Sequence, residues 1–220
     1  MNYRFTNRTG GLSTGAFASL NLGTHVGDDL DDVMRNRSLV AESTGDIQFM
    51  NQIHGNRVAI IEQVTQPDPT SDALVTGIRG ISLAVQVADC IPLLLSSVEA
   101  VAAVHVGRKG LMNEVALKTI DVMHEMGAGE ITAIIGPAIC GTCYEVSEDI
   151  YQEVIAMHPF AQSKTAKGSL ALDLPRALVE QISGCVLTVL NESQCTVENQ
   201  DLYSYRRDGV TGRQAGIITL

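Results

Sequence analysis

Three short runs of apolar residues dominate the middle of the chain: "ISLAVQVA" (81–88), "IPLLLSS" (91–97) and "AVAAVHV" (100–106). They are too short for independent helices and rich in branched side chains, so they read as strands of a buried sheet. "RVAIIEQV", "EITAIIGP" and "CVLTVL" add further strand-like segments. Between them the apolar period changes to that of a helix. Residues 29–42 are helical in pattern, with acids in the first turn where the dipole favours them. A second helix is expected over 111–126, with Leu111, Val115, Val122 and Met126 on one face, Met123 widening it, and Gly127 as its stop. Ser147 caps a third that runs to His158. Asp173 and Pro175 open a fourth that ends near Gly184. The tail "YSYRRDGVTGRQAGIITL" reads as a loop and a closing strand.

Strands dominate the middle and helices interleave irregularly. That pattern predicts an α+β (mixed α/β) fold of mixed β-sheets layered with helices, not a doubly wound Rossmann fold. No G-x-G-x-x-G follows a strand and no Walker lysine motif occurs, so nucleotide-cofactor folds lose their usual support. No linker-like stretch divides the 220 residues, and "TQPDPTSD" (65–72) reads as a connection, so one domain over 1–220 is expected.

Composition narrows the function classes. With 45% hydrophobic residues the chain can bury a proper core, and its formal charge of −10 shows no basic stripe for nucleic acid. No stretch approaches roughly 18 uninterrupted apolar residues, and "MNYRFTNRTG" has no apolar leader core, so no membrane partner and a cytoplasmic location are expected. Five cysteines, an odd count, argue for reduced thiols. Oligomeric state is not legible.

Three residues stand where chemistry could sit: His54 in "NQIHGNRV", Cys90 in "VADCIP" and His105 in "AVHVGRKG". A tight reversal near "SSVEA" would pair two of the strands antiparallel and bring Cys90 beside His105. Buried free cysteines usually just pack, and a strand histidine is usually a hydrogen-bonded core residue, so spacing leaves packing, a nucleophile and a metal ligand all open. "CGTC" (140–143) is a C-x-x-C that lacks a close helix N-terminus for redox use. As half a zinc site it needs a second pair, for which Cys185 and Cys195 are poorly spaced. It reads as a loop near the site. Arginines and lysine gather at Arg35 and Arg37, at Arg108 and Lys109, and at Arg206, Arg207 and Arg213. Solvated surface charge is one reading; a phosphate-like guest is the other.

"SLNLGTHVGDD", "RNR", "NQIHG", "VADCIPLLL", "AAVHVGRKGL", "GPAICGTCYEV" and "YSYRRDGVTGR" occur in that order. Together they resemble the bacterial laccase-domain family, formerly called polyphenol oxidases and described as zinc-dependent purine nucleoside phosphorylase/adenosine deaminase enzymes. The resemblance runs from about residue 4 to the end. It implies a metal held by His54, Cys90 and His105, which would also be the catalytic residues. It implies phosphorolysis of adenosine, inosine, guanosine and methylthioadenosine, and hydrolytic deamination of adenosine. The partners would then be purine nucleosides and phosphate, the latter held by Arg37, Lys109 and Arg207, with Asp89 or Glu145 as proton shuttle. The chain departs from the family's H-A-G-W-R-G, having "HVGRKG", and from its G-P-C-C-Y-E, having "CGTCYEV". Lysine does not replace the fork of arginine at the first of these junctions.

Two His and one Cys leave a zinc ion a vacant fourth position, as catalytic zinc requires. The same residues would serve a metal-free hydrolase, with Cys90 as nucleophile and His105 as base. A copper-dependent polyphenol oxidase is a third reading, although a multicopper assembly needs more than the five histidines present.

Overall fold

The structure, a computed structural model, describes residues 2–220. In chain order the strands are β1 (Asn2–Phe5), β2 (Ile47–Gln48), β3 (Val58–Ile60), β4 (Ala73–Thr76), β5 (Ser82–Val87), β6 (Ile91–Ser96), β7 (Val101–Val106), β8 (Thr132–Ile135), β9 (Gln162–Lys164), β10 (Leu170–Leu172), β11 (Thr188–Asn191) and β12 (Gln214–Thr219). The helices are α1 (Leu30–Ala41), α2 (Arg108–Met112), α3 (Val115–Glu125), α4 (Glu148–Met157), α5 (Leu174–Ile182) and α6 (Tyr205–Asp208). The expected mixed α/β class is what forms. One sheet runs β1-β12-β5-β2, a second runs β11-β8-β6-β7-β4-β3, and β9 and β10 make a small hairpin. Both large sheets mix parallel and antiparallel pairs.

Period-two alternation builds the layers. On β5, Leu83, Val85 and Val87 face Leu74, Leu94, Ala103 and Ile134 of the larger sheet, so the two sheets share an apolar interior. Ala84 points the other way, toward Val40 of α1. The opposite face of the larger sheet, through Leu93, Leu95, Ala102 and Val104, packs on α2, α3, α4 and α5. This succession of helix, sheet, sheet and helices explains why the middle strands are apolar on both faces. No described helix is long and apolar enough to cross a membrane.

The helix expected over 111–126 forms as two. It begins earlier, at Arg108, and breaks at Glu114, which takes a left-handed φ of 61°. The Asn113 carbonyl is taken by the Asn56 side chain at 3.0 Å, which anchors the break. Leu111 and Val115 are both buried across it, so the apolar period runs through a joint it does not register. Elsewhere the helix starts fall where the local signals put them, although Ser147 stands at the N-cap of α4 without a side-chain cap hydrogen bond. Asp29 caps α1 by accepting from the N–H groups of Asp31 and Asp32, and Asp173 caps α5 by accepting from Arg176.

Candidate metal centre

Strand parity aims three side chains into the gap between the sheets. β6 and β7 pair antiparallel, as the sequence predicts, with Pro92 opposite His105. Cys90 shares its parity with Leu94, and His105 with Ala103, so both point toward the shared interior at one end of the sheet. Asp72 precedes β4 with the parity of Leu74, and its carbonyl accepts from the His105 N–H at 2.8 Å. His54 comes from the loop before β3 and has a φ of 59°. That turn is pinned by Asp72, which accepts from the backbone N–H of His54 at 2.9 Å, Gly55 at 2.6 Å and Ile53 at 3.3 Å.

The donor atoms of His54, Cys90 and His105 lie within 4.8 Å of one another. Cys90 Sγ is 4.0 Å from His54 Nε2, and the two imidazoles meet edge to face with centroids 4.7 Å apart. Gly107 makes the close approach possible. A Cβ there would stand 2.8 Å from Cys90 Sγ and 3.3 Å from His54 Cδ2. His105 Nδ1 donates to Asp72 Oδ1 at 2.9 Å, which fixes the tautomer and leaves Nε2 for a ligand. Burial disfavours the Cys90 thiolate, but His105 and His54 together more than offset it and bring the thiol down to about 6. Burial likewise opposes the charged imidazole of His105, yet Cys90 and Asp72 raise it to about 9. A thiolate facing an imidazole that is backed by the buried Asp72 carboxylate is an attractive place for a positive charge. The donor set, two imidazole nitrogens and one thiolate with a carboxylate behind one imidazole, fits a divalent metal.

The cluster forms the floor of a cavity of ≈ 450 Å³. Ile139, Tyr144 and Tyr205 supply apolar and aromatic wall, while Arg206, Arg213 and His25 supply charge and a titratable ring. Burial, with Arg213 and Arg37 adding to it, lowers His25 below the ordinary histidine value. The size and the mix of apolar wall with a few polar groups suit a small molecule.

The other expected site residues fall differently. Arg37 does not line the cavity. It is buried, donates to the Leu22 carbonyl at 3.0 Å, pairs with Asp68 at 3.2 Å and lies over the Phe49 ring. Arg207 spends its guanidinium on the carbonyls of Thr196 and Leu202, each at 2.8 Å, and on Asp208. Both guanidinium groups thus tie loops together, because loops without ladders need donors for their carbonyls. Lys109 lines a separate groove with His54, Arg108 and Glu153. Asp89 reaches the cavity wall, but its carboxylate accepts from Thr196 Oγ1, Ser204 Oγ and the Arg206 N–H at 2.6–2.7 Å. Glu145 is exposed and does not line the cavity.

Two features escaped the pattern. Asp72, fully buried, closes the polar stretch 65–72 that reads as a mere connection; its signal is an acid placed directly before the apolar "ALVT". His25 lies in "SLNLGTHVGDD", where nothing in its spacing marks it as a cavity residue. The "CGTC" loop does meet a second pair, formed by Cys195 with Glu198 and not with Cys185.

A family profile described as multi-copper polyphenol oxidoreductase laccase matches residues 2–220. A purine nucleoside phosphorylase of Corynebacterium glutamicum is 44% identical, the match covering 98% of this chain and 93% of that one. One of Streptomyces coelicolor is 43% identical over 100% of this chain and 95% of its own. The crystal structure of a Neisseria meningitidis protein superposes with a TM-score of 0.90 at 34% identity, covering 100% of this chain and 99% of that one.

Proposed function

The chain belongs to the multi-copper polyphenol oxidoreductase laccase family, and from that premise we propose that it is a purine nucleoside phosphorylase whose site holds one zinc ion on His54, Cys90 and His105. Adenosine deamination is a second activity of the same cavity. The observation that carries this reading is the convergence of two imidazoles and a thiolate, with Asp72 orienting His105, on the floor of a nucleoside-sized cavity. The relatives named as purine nucleoside phosphorylases support the reaction class.

A bound zinc ion would supply Lewis acidity beside the substrate and lower the pKa of water there. The chain's own residues do the rest. Tyr144, Tyr205 and Ile139 offer flat apolar surface to the purine and keep water from the ring. Arg206 and Arg213, both lining the cavity, offer positive charge to phosphate, a role expected from the sequence of Arg37, Lys109 and Arg207. Phosphate oxygen bonds to C1′ of the ribose as the bond to purine N9 breaks. The leaving base needs a proton, and His25 at the rim is a titratable ring able to exchange one with solvent. Asp89, with its oxygens already engaged, holds the Ser204–Arg206 turn in place.

The thiolate and the Nδ1-bound tautomer of His105 suit zinc, and clusters fit for a multicopper assembly do not occur among the described residues, where only two groups of ligating side chains gather. A second reading has its own observation. A thiol held at about 6 opposite an imidazole at about 9 is the pairing of a cysteine hydrolase. One experiment separates the two. Protein purified without added metal is analysed for zinc and incubated with adenosine, inosine and phosphate. Stoichiometric zinc, free base and ribose 1-phosphate, all lost in His54→Ala, Cys90→Ala and His105→Ala, are expected. Full turnover in metal-free protein would overturn the zinc reading.

A further inference from the structure

The second cluster stands apart from the cavity and no step above uses it. We propose that Cys140, Cys143, Cys195 and Glu198 bind a second zinc ion, a structural one that clamps two loops behind the wall of the active-site cavity.

The geometry is that of two short ligand arms brought face to face. Cys140 and Cys143 flank one turn, closed by the Cys143 N–H donating to the Cys140 carbonyl at 3.1 Å. Cys195 and Glu198 flank another, closed by the Asn199 N–H donating to the Cys195 carbonyl at 2.9 Å. Each arm therefore has the x-x spacing that lets two side chains share one ion. An isolated bridge between Ala138 and Cys195, with the Ala138 N–H on the Gln194 carbonyl and the Thr196 N–H on the Ala138 carbonyl, sets the arms against each other.

All four donor atoms lie within 4.8 Å of one another. Cys143 Sγ stands 3.6 Å from Glu198 Oε1. In a tetrahedral zinc site with the usual bond lengths, sulfur and oxygen ligands stand about 3.5 Å apart and two sulfurs about 3.8 Å. The loops thus need only small adjustments to close on an ion. The cysteines are free thiols, not disulfides. Three thiolates and one carboxylate fill four positions with protein ligands, which is the arrangement of structural and not catalytic zinc. Binding releases the thiol protons to solvent, with no change of oxidation state.

The position gives the clamp a purpose. The arm carrying Cys140 continues from Ile139, whose N–H donates to the Asp89 carbonyl at 2.9 Å, next to Cys90. The arm carrying Cys195 continues into Thr196, whose hydroxyl donates to Asp89 Oδ1 at 2.6 Å. Tyr144 follows Cys143 directly and lines the cavity. An ion joining the arms therefore fixes the wall against which the purine would lie. It also explains how this chain uses a C-x-x-C that has neither a disulfide nor a helix N-terminus close behind it.

The test is zinc content by mass spectrometry on protein purified without added metal, combined with thiol mapping. Wild type is expected to carry two equivalents. Combined substitution of His54, Cys90 and His105 by Ala should leave one, and combined substitution of Cys140, Cys143 and Cys195 by Ser should also leave one. Failure of the catalytic zinc alone would show as one equivalent in wild type and none in the Ser variant, so the two assignments fail separately. Native wild-type protein should alkylate at exposed Cys185 and resist at Cys140, Cys143 and Cys195 until a chelator is added. This measurement needs no variant to fold. Equal alkylation of all four without chelator, an unchanged zinc content in the Ser variant, or a disulfide among the three in thiol-blocked protein would overturn the proposal.

Discussion

Asp72 Oδ1 accepts a hydrogen bond from His105 Nδ1 at 2.9 Å, and the same carboxylate caps the turn that carries His54. One buried acid thus positions both imidazoles, although they lie 51 residues apart in the chain, from 54 to 105. Four donors hold the carboxylate, and those of His105, Gly55 and Ile53 keep it below the ordinary aspartate value against the cost of burial.

Asp72→Asn is expected to weaken zinc binding by about 10–100-fold, the usual effect of removing a carboxylate behind a histidine ligand. The amide keeps one acceptor oxygen but turns an NH₂ toward a site built of donors, so stability should also fall by about 1–3 kcal/mol. Competition with a chromogenic chelator reads the first effect and thermal unfolding of the chelator-treated protein reads the second. Unchanged affinity would remove Asp72 from the site.

Gly107→Ala tests packing at the centre directly. Its φ of −88° suits alanine, so the backbone raises no objection. The new methyl would sit 2.8 Å from Cys90 Sγ. Zinc content and nucleoside turnover are expected to drop together while the melting temperature of chelator-treated protein changes little. A variant that keeps its zinc would show that the thiol can move aside.

The larger elements were legible because they obey periods. The β6–β7 hairpin follows from two apolar runs and a short reversal, and its register brings Cys90 to the end where His105 lies. What escaped the pattern is set by single long-range contacts. The joint at Glu114 depends on Asn56, 58 residues away, and the apolar spacing of Leu111 and Val115 runs through it. Asp72 hides in a polar loop because burial of an acid is decided by donors from another segment. Glu198 was invisible as a partner of Cys195 because a carboxylate extends a cysteine motif only once the fold brings the arms together.

The metal-free state has a pH signature. Cys90 sits at about 6 because His105, with help from His54, outweighs the cost of burial. Its thiolate is therefore present above that value and is lost as pH falls through it. In chelator-treated protein, the rate of Cys90 alkylation should titrate with a midpoint near 6 and be well developed at neutral pH. His105→Ala should move the midpoint up toward that of an ordinary thiol, because only His54 then opposes burial. A wild-type midpoint that His105→Ala leaves in place would show that the imidazole does not set the thiol's state.

The arginines divide by what their guanidinium groups already touch. Arg206 is exposed at the cavity with its NH1 on the Glu145 carbonyl, whereas Arg207 satisfies carbonyls of Thr196 and Leu202. Arg206→Ala should raise KM for phosphate by about 10–100-fold, as loss of a charged hydrogen bond of about 1.5–3 kcal/mol implies, with the melting temperature nearly unchanged. Arg207→Ala should do the reverse, lowering the melting temperature as its carbonyls lose their donors and shifting KM for phosphate less. Steady-state phosphorolysis at varied phosphate, alongside thermal unfolding, measures both. A KM effect confined to Arg207→Ala would return phosphate to the residue that the sequence motif first suggested and take it from the one that the cavity presents.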